Sequence, residues 1–451
     1  MYKLQIQNKE KLISNSGLEV FRNLRNDSTE IIEEAIKSVN PYFALKKIIK
    51  IEDNELTIKN VVLDINNINK ILVVGGGKAS VPMARALEDI LKDRIDNGIV
   101  NTLHETKNKQ DLRYIKVNGA SHPIPDKSGM IGVKTMLEMV SDLNENDLVF
   151  AIISGGGSSL MPFPAENITL EEVQLVTERL LKAGATINEL NSVRKHLSSI
   201  KGGQLAKSIF PARTIGLILS DVIGDPLDTI ASGPTAPDDS FFEDALNVLK
   251  KYELLNQIPE NVEKRLKMGV VGKLAETPKT GDKVFVKVDN FIVANNLLAA
   301  NAAASKASEL GYKSNVLSTY IEGEARQLGI FLGGISKSII KNGNPLDPPA
   351  ALIIGGETTV KVTGNGKGGR NQEVALSSIR MINGLNTLIA TLGTDGIDGP
   401  TEAAGAIADG QSMTKAISMK LSPEEYLNNN DSYSFFEKMG DLIITGPTGT
   451  N

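Results

Sequence analysis

Five short apolar runs end in glycine, serine or aspartate, and this repeated pattern limits the possible folds more than any other feature. The runs are ILVVGGGKAS at 71–80, FAIISGGGSS at 150–159, GLILSD at 216–221, ALIIGGET at 351–358 and LIATLGTDG at 388–396. A continuous Val/Ile/Leu run is typical of a strand in a buried parallel sheet, and α/β proteins bind ligands beyond the carboxyl ends of such strands. The pattern predicts an α/β protein with a polyphosphate site at these strand ends.

Glycine triplets at 75–77 and 155–157 stand where a predicted strand gives way to a helix. Glycine adopts positive φ and lets backbone N–H groups approach an anion, and the helix start adds unpaired donors and a positive dipole end. Neither triplet is a Walker A loop. Around Gly77 and Lys78, that loop would need a glycine at Leu72 and a hydroxyl at Ala79. The first triplet also lacks a second strand ending in an acid about twenty residues later, which disfavours a nicotinamide site.

The composition fits a two-domain globular enzyme of 451 residues, with 41% apolar and 23% charged residues. The net charge is −5 and the lysines are dispersed among acids, which disfavours a nucleic-acid partner. Because cysteine is absent, disulfides, thiolate catalysis and Cys-bound zinc are excluded. The N-terminus lacks an apolar signal segment, and no run approaches the ~18 apolar residues of a membrane span. We therefore expect a cytoplasmic protein without a membrane partner.

Helical patterns alternate with the strand-like runs. One helix is expected at about 26–48, and another at 169–185 behind the capping pair Thr169 and Glu172. A third, at 191–209, is interrupted by a glycine pair that suggests a hinge or bend.

The predicted domains are 1–280 and 281–451, because proline and glycine turns bound a charged stretch between 231 and 290. The first domain is expected to have a mainly parallel sheet. In the second, LIIGGETTVKVTGNGKGG is typical of two strands around a glycine-rich loop, so antiparallel additions and a mixed sheet are expected.

Four charged residues are the catalytic candidates. The ammonium of Lys78, behind the first triplet, could reach phosphate oxygens or remain solvated. Arg370, in NGKGGRNQEVAL, offers a planar fork that could neutralise a transferring phosphoryl group. Asp221 and Asp395 end apolar runs and are the candidate Mg²⁺ ligands. Either could instead act as a catalytic base, or have the purely structural role of capping a turn or helix.

A wider set of residues could bind phosphate, nucleotide or substrate. Arg194 and Lys201 belong to a basic cluster on a predicted helix, for which a carboxylate clamp and a solvated face are both open. His104, His122 and His196 form no metal spacing or triad, and His122 is given at most a structural or substrate-lining role. The binding set is Gly75, Gly76, Gly77, Ser154, Gly155, Gly156, Gly157, Ser158, Ser159, Arg194, Lys201, Glu357 and Asn371.

The chain resembles the glycerate 2-kinases of the MOFRL family in long motifs that occur in order from about residue 20 to the end. They include VVGGGKAS, NGASHPIPD, ISGGGSSLMPFP, LSDVIGDPLDTIASGPT, GGETTVKVTGNGKGGRNQE and LGTDGIDGPTEAAGA. The resemblance implies two α/β/α domains, the larger Rossmann-like, with an active site in the cleft between them. It also implies ATP- and Mg²⁺-dependent phosphorylation of D-glycerate to 2-phosphoglycerate, with Lys78 and Arg370 in the active site and Asp221 and Asp395 nearby.

Other possibilities stay open alongside this resemblance. An NAD(P)H-dependent hydroxypyruvate reductase and a two-lobed sugar-acid binding protein are alternative functions. The expected partner is the small molecule D-glycerate, and a homodimer is an open assembly state. The chain ends in GDLIITGPTGTN where the family normally continues, so a closing strand or helix is expected to be short or absent.

Overall fold

The computed structural model describes residues 6–106 and 112–450, and the chain divides into two compact units. The split unit combines Met1–Asn40 with Asn296–Thr450, and the continuous unit is Pro41–Asn295. This division differs from the predicted boundary between residues 280 and 281. The split unit begins with helices α1 (Lys9–Ser14) and α2 (Glu19–Ser38).

The continuous unit contains nine strands and nine α-helices in its described residues. The strands are β1 (Ile49–Glu52), β2 (Glu55–Ile58), β3 (Val61–Asp64), β4 (Ile71–Gly76), β5 (Asn97–Leu103), β6 (Ile115–Ala120), β7 (Leu148–Ile153), β8 (Arg213–Leu219) and β9 (Val288–Ala294). The helices are α3 (Pro41–Ile48), α4 (Ser80–Leu91), α5 (Lys127–Met139), α6 (Gly157–Leu160), α7 (Leu170–Lys182), α8 (Ile187–His196), α9 (Gln204–Ile209), α10 (Phe242–Lys251) and α11 (Glu260–Val270).

Six of these strands form an all-parallel sheet in the order β6-β5-β4-β7-β8-β9, while β1, β2 and β3 form a separate antiparallel sheet. The six-stranded order is the doubly wound Rossmann arrangement, so the predicted α/β class is confirmed. Strands β4 and β7 are buried along their whole length, which explains their continuous apolar runs. The winding reverses between β4 and β7, and their carboxyl ends therefore flank the point where such sheets bind ligands.

Two helix predictions need correction at their boundaries. The helix expected at 26–48 is divided into α2 and α3, because proline at position 41 disfavours helical backbone in Asn40 and instead begins the next helix. The segment 191–209 is also two helices, α8 and α9, separated at the predicted glycine pair. The capping box of Thr169 and Glu172 at the start of α7 is confirmed.

The rest of the split unit contains five strands and six helices in its described part. The strands are β10 (Lys313–Ile321), β11 (Ala350–Gly356), β12 (Leu388–Leu392), β13 (Gly405–Asp409) and β14 (Leu442–Ile443). The helices are α12 (Asn296–Glu309), α13 (Ala325–Asn342), α14 (Arg370–Ile382), α15 (Ser412–Ser418), α16 (Pro423–Asn428) and α17 (Ser432–Met439).

The split unit has two separate sheets in place of the single mixed sheet that was expected. Strands β10 and β11 pair in parallel, whereas β12, β13 and β14 form an antiparallel sheet. Strand β12 has a continuous apolar run although it is antiparallel, because α14 covers one face and α2 the other. Helices that cover both faces of the strand, and not the strand direction, account for this apolar pattern.

The prediction of a second strand in LIIGGETTVKVTGNGKGG is wrong, because residues 358–362 do not form a strand. The amides that follow, those of Thr363 and Gly364, donate to Asn430 Oδ1 at 2.8 and 2.9 Å. This segment is therefore tied to the α16–α17 connection by a side chain and not by a strand ladder. Among the helices of residues 6–106 and 112–450, none is long and apolar enough to cross a membrane.

Candidate active site

Lys78 follows β4 in a turn that is locked to the end of β7. Gly77 has φ +144°, and a Cβ there would lie 2.1 Å from Ser154 Oγ, so a side chain has no room. The amides of residues 77, 78 and 79 donate to protein acceptors, which are Asn101 O, Gly155 O and Ser154 Oγ at 3.1, 2.9 and 3.0 Å. This corrects the expectation that the first triplet offers these amides to an anion. The triplet instead lets two strand ends approach closely and fixes the backbone of Lys78.

The Lys78 ammonium itself has no hydrogen-bond or ion-pair partner among the residues that the structure describes. Its side chain is partly buried at the ligand-binding end of the parallel sheet. A cation in this position is available to an anionic ligand.

The loop from Ser154 to Ser159, which follows β7, keeps free donors. Gly156 adopts φ +75° and precedes the short helix α6. The backbone amides of Gly155, Gly156 and Ser158 have no acceptor within the described parts of the chain. This second triplet therefore matches the sequence-based expectation of an anion-binding loop better than the first.

Lys201, which is buried, and Arg194, which is partly buried, are two basic groups without a carboxylate partner in the described residues. Lys201 is only 5% exposed, and its Nζ donates to Ser158 O at 2.7 Å and Met161 O at 3.5 Å. Arg194 Nε is buried and unpaired. Burial lowers the pKa of Arg194 to about 10, and burial together with the charge of Arg194 holds the pKa of Lys201 well below its usual value. Unpaired buried charge is unfavourable, so this pair fits a carboxylate or phosphate supplied by a ligand.

Lys195, between these two residues in sequence, has a different environment. Its Nζ lies 3.0 Å from Asp228 Oδ2 and 3.3 Å from Asp238 Oδ1. The basic cluster therefore divides into Lys195, which pairs with carboxylates, and two basic groups that have no carboxylate partner in the described residues.

In the split unit, Arg370 is the first residue of α14, and its Nη1 lies 2.9 Å from Glu357 Oε1. Both side chains are about half exposed. Asn371 donates its backbone N and its Nδ2 to Asp398 Oδ1 at 3.0 and 3.1 Å, and Gln372 N donates to Asp398 Oδ2 at 2.8 Å. Asp398, only 1% exposed, thus caps the helix that presents Arg370, and burial raises the pKa of its carboxyl.

The two candidate metal ligands lie in different units. Asp395 follows β12, and its Oδ1 accepts from Ile397 N at 3.1 Å, which is the turn-capping contact named as its alternative role. Gly393 borders both Asp395 and Asn371. Asp221 follows β8 and is exposed. The described residues contain no group of three or more His, Asp or Glu that could form a metal cage, and metal binding by these aspartates stays a prediction.

Ser232 was not identified from the sequence, and His122 was given only a minor role, although both lie near the Ser154–Ser159 loop. Ser232 Oγ bonds Ser158 Oγ at 2.9 Å and donates to Asn191 Oδ1 at 3.0 Å, and Ser232 has φ +60°, an unfavourable value for serine. The sequence ASGPT around Ser232 indicates only a turn and gives no sign of a functional role. His122 follows β6 as Lys78 follows β4, so its place after a strand of the same sheet was the available signal.

The protein is a two-unit α/β protein whose doubly wound sheet carries basic side chains and free backbone amides near its switch point. A family model described as a domain of unknown function, DUF4147, matches residues 27–267, and the MOFRL family model matches 350–451. The chain belongs to the glycerate kinase family that carries the MOFRL domain.

Three relatives illustrate the similarity. The glycerate 2-kinase of Pyrococcus horikoshii is 43% identical, with 95% of each chain covered. A crystal structure of glycerate kinase from Thermotoga maritima is 42% identical and has a TM-score of 0.85, with 95% of this chain and 97% of that chain covered. A protein of Agrobacterium vitis, provisionally named a hydroxypyruvate reductase, is 40% identical, with 84% of this chain and 85% of its own length covered.

Proposed function

We propose that this protein is a kinase that transfers the γ-phosphoryl group of ATP to the 2-hydroxyl of D-glycerate, giving 2-phosphoglycerate and ADP. The observation that carries this proposal is the pair of basic side chains without a carboxylate partner in the described residues, Arg194 and Lys201, beside the Ser154–Ser159 loop. A carboxylate bound between them would convert two unfavourable charges into ion pairs.

The remaining donors suit the phosphate groups of ATP. The Lys78 ammonium and the amides of Gly155 and Gly156 have no protein acceptor in the described residues, so they can bind phosphate oxygens. Either Asp221 or Asp395 would hold Mg²⁺, together with phosphate oxygens and water. Asp395 suits this role because only one of its carboxylate oxygens is hydrogen-bonded to the described residues. Bound Mg²⁺ supplies charge neutralisation to the phosphate chain.

The protein residues contribute by positioning and by charge. Lys78 and Arg370 are the residues proposed to neutralise the negative charge on the transferring group, which is the main requirement of phosphoryl transfer. Arg370 is held ready by Glu357 at 2.9 Å, an exposed pair that can exchange its partner for a phosphate.

The reductase alternative, which the name of the Agrobacterium vitis relative keeps open, fits the site less well. A Rossmann dinucleotide site binds pyrophosphate with the amides after its first strand and binds ribose with an acid at the end of the second. Here the amides of residues 77–79 bond within the protein. Strand β5 carries the buried amide side chain of Asn101 near its end, where an acid would be needed.

Purified protein supplied with ATP and Mg²⁺ tests the proposal directly. We expect ADP release that depends on D-glycerate and is much slower with L-glycerate. We also expect no oxidation of NADH or NADPH when hydroxypyruvate is supplied. ADP release that does not rise with D-glycerate would contradict the kinase, and nicotinamide oxidation would favour the reductase.

A further inference from the structure

His122 has an imidazole ring without a hydrogen-bond partner in the described parts of the chain, and this ring faces the Ser154–Ser159 loop. A Cβ built on Gly156 would lie 3.0 Å from His122 Cδ2, 3.3 Å from His122 Nε2 and 3.4 Å from Lys78 Cγ. The Nε2 edge of the ring, the stem of Lys78 and the loop backbone therefore converge around Gly156. All three belong to the continuous unit and follow strands of its parallel sheet.

We propose that His122 is the general base of the phosphoryl transfer, and this proposal rests on the kinase function proposed above. The O–H bond of the glycerate hydroxyl breaks and its proton moves to His122 Nε2. The hydroxyl oxygen forms a bond to the γ-phosphorus, the bond from that phosphorus to the β–γ bridging oxygen breaks, and ADP leaves with the electron pair. The imidazolium then releases its proton to solvent, which balances the reaction.

The charge state of His122 suits a base. Partial burial and the positive charge of Lys78 lower the pKa of His122, so the ring is neutral near neutral pH and can accept a proton. The same ammonium would also stabilise a hydroxyl oxygen as it becomes negative.

Two other titratable residues of this unit, Asp126 and His196, are engaged in structural contacts. Asp126 accepts from Ser121 Oγ and Gly129 N, and it also pairs with His104 at 2.9 Å. His196 is buried, with its ring nitrogens at Ser192 O and Glu276 Oε2. His122 differs because its ring faces an anion-type loop and has no such partner.

The test compares His122→Asn with the matched control His104→Asn, using D-glycerate, ATP and Mg²⁺. We expect kcat of His122→Asn to fall about 10²- to 10⁴-fold with little change in KM, and the acid limb of the kcat–pH profile to disappear. Added imidazole should restore part of the rate. His104→Asn should keep both the rate and the acid limb.

Labelling the histidine rings provides a readout that is independent of turnover, because the chain has only three histidines. In the wild-type protein, the NMR titration of His122 should shift on D-glycerate binding. Lys78→Met should raise the pKa of His122 by removing the nearby positive charge. If His122→Asn does not fold, the NMR titration of the wild-type and Lys78→Met proteins tests the proposal instead. A His122 ring whose titration responds neither to D-glycerate nor to Lys78→Met overturns the proposal.

These experiments distinguish failure of the proposed kinase function from failure of the proposed role of His122. A wild-type protein that releases no ADP with D-glycerate overturns the proposed kinase function. An active wild-type protein whose His122→Asn variant keeps its kcat and its acid limb overturns the role of His122 alone.

Discussion

Two neighbouring cations on α8 have opposite energetic roles, and substitutions to methionine separate them. Lys195→Met should lower the free energy of unfolding by about 3–5 kcal/mol, because it leaves the buried carboxylate of Asp238 without its cation. Arg194→Met should raise the free energy of unfolding of the ligand-free protein, because it removes a partly buried charge that has no described partner.

Urea unfolding followed by circular dichroism measures both effects, and steady-state kinetics measures the functional one. Arg194→Met should also weaken glycerate binding by about 2–5 kcal/mol, since Lys201 would then bind the carboxylate alone. An Arg194→Met protein as destabilised as Lys195→Met would show that Arg194 has a structural role instead.

Lys78→Ala should lower kcat by about 10²- to 10³-fold, or roughly 2.7–4 kcal/mol of barrier, while leaving unfolding unchanged. The backbone of the turn is held by its own hydrogen bonds, so the fold does not depend on the ammonium. Lys70→Ala, an exposed lysine just before β4, is the control. Equal kcat for the two variants at saturating ATP would remove Lys78 from the mechanism.

Arg370→Lys should be nearly as damaging to kcat as Arg370→Ala, because lysine keeps the charge but loses the planar fork. Arg380→Lys changes an exposed arginine at the other end of the same helix and should have no effect on kcat. If Arg370→Lys retains wild-type turnover, Arg370 supplies only general charge.

At the scale of elements, the start of α14 depends on a buried carboxylate. Asp398→Ala removes the acceptor for the amides of Asn371 and Gln372 and should lower the free energy of unfolding by about 1–3 kcal/mol. It should also lower kcat, because Arg370 begins this helix.

Ser422→Ala is the control for the cap, since Ser422 caps α16 of the same unit. It should cost about 0.5–2 kcal/mol of stability with kcat unchanged. A loss of stability without loss of kcat in Asp398→Ala would separate the cap from the function of Arg370.

The elements also show what the sequence can and cannot reveal. Strands β4 and β7 were predictable because burial of both faces makes them continuously apolar. The same pattern in β12 did not reveal its direction, because α2 and α14 cover both faces of this antiparallel strand. A local pattern reports burial, whereas strand partners are set by distant residues.

The sequence indicated where the candidate site residues lie in the fold better than it indicated their hydrogen bonds and contacts. Lys78 and the second glycine triplet lie at strand ends, as their sequence context indicated. The internal bonding of the first triplet depends on Asn101 and Ser154, which come from other strands, so no local pattern could show it. Likewise, the convergence of His122 and Gly156 arises only when β6 and β7 join one sheet.

At the scale of the whole molecule, the chain passes between its units twice, after Asn40 and after Asn295. Helix α2 packs on α12, and its Ile32 and Ile36 share a core with Ile407 and Ile443. These partners are several hundred residues apart in sequence, so turn signals could not place residues before Pro41 with the C-terminal part of the chain. Strand β9 likewise completes the parallel sheet beyond the predicted boundary.

The proposed carboxylate site specifies which hydroxyl group of D-glycerate is phosphorylated. D-glycerate offers a hindered 2-hydroxyl and a less hindered 3-hydroxyl, so choosing the former requires its carboxylate to be held in a fixed position. Arg194 and Lys201 are the groups proposed to hold it, beside the loop proposed to bind the phosphate groups. The carbon that bears the 2-hydroxyl is directly attached to that carboxylate.

The most direct test of the central claim is the position of the phosphate in the product. The reaction mixture is coupled to enolase without phosphoglycerate mutase, and phosphoenolpyruvate is measured by its ultraviolet absorbance. We predict immediate formation of phosphoenolpyruvate, because 2-phosphoglycerate is the substrate of enolase. A signal that develops only after mutase is added would mean that the product is 3-phosphoglycerate, and it would contradict the proposed carboxylate site.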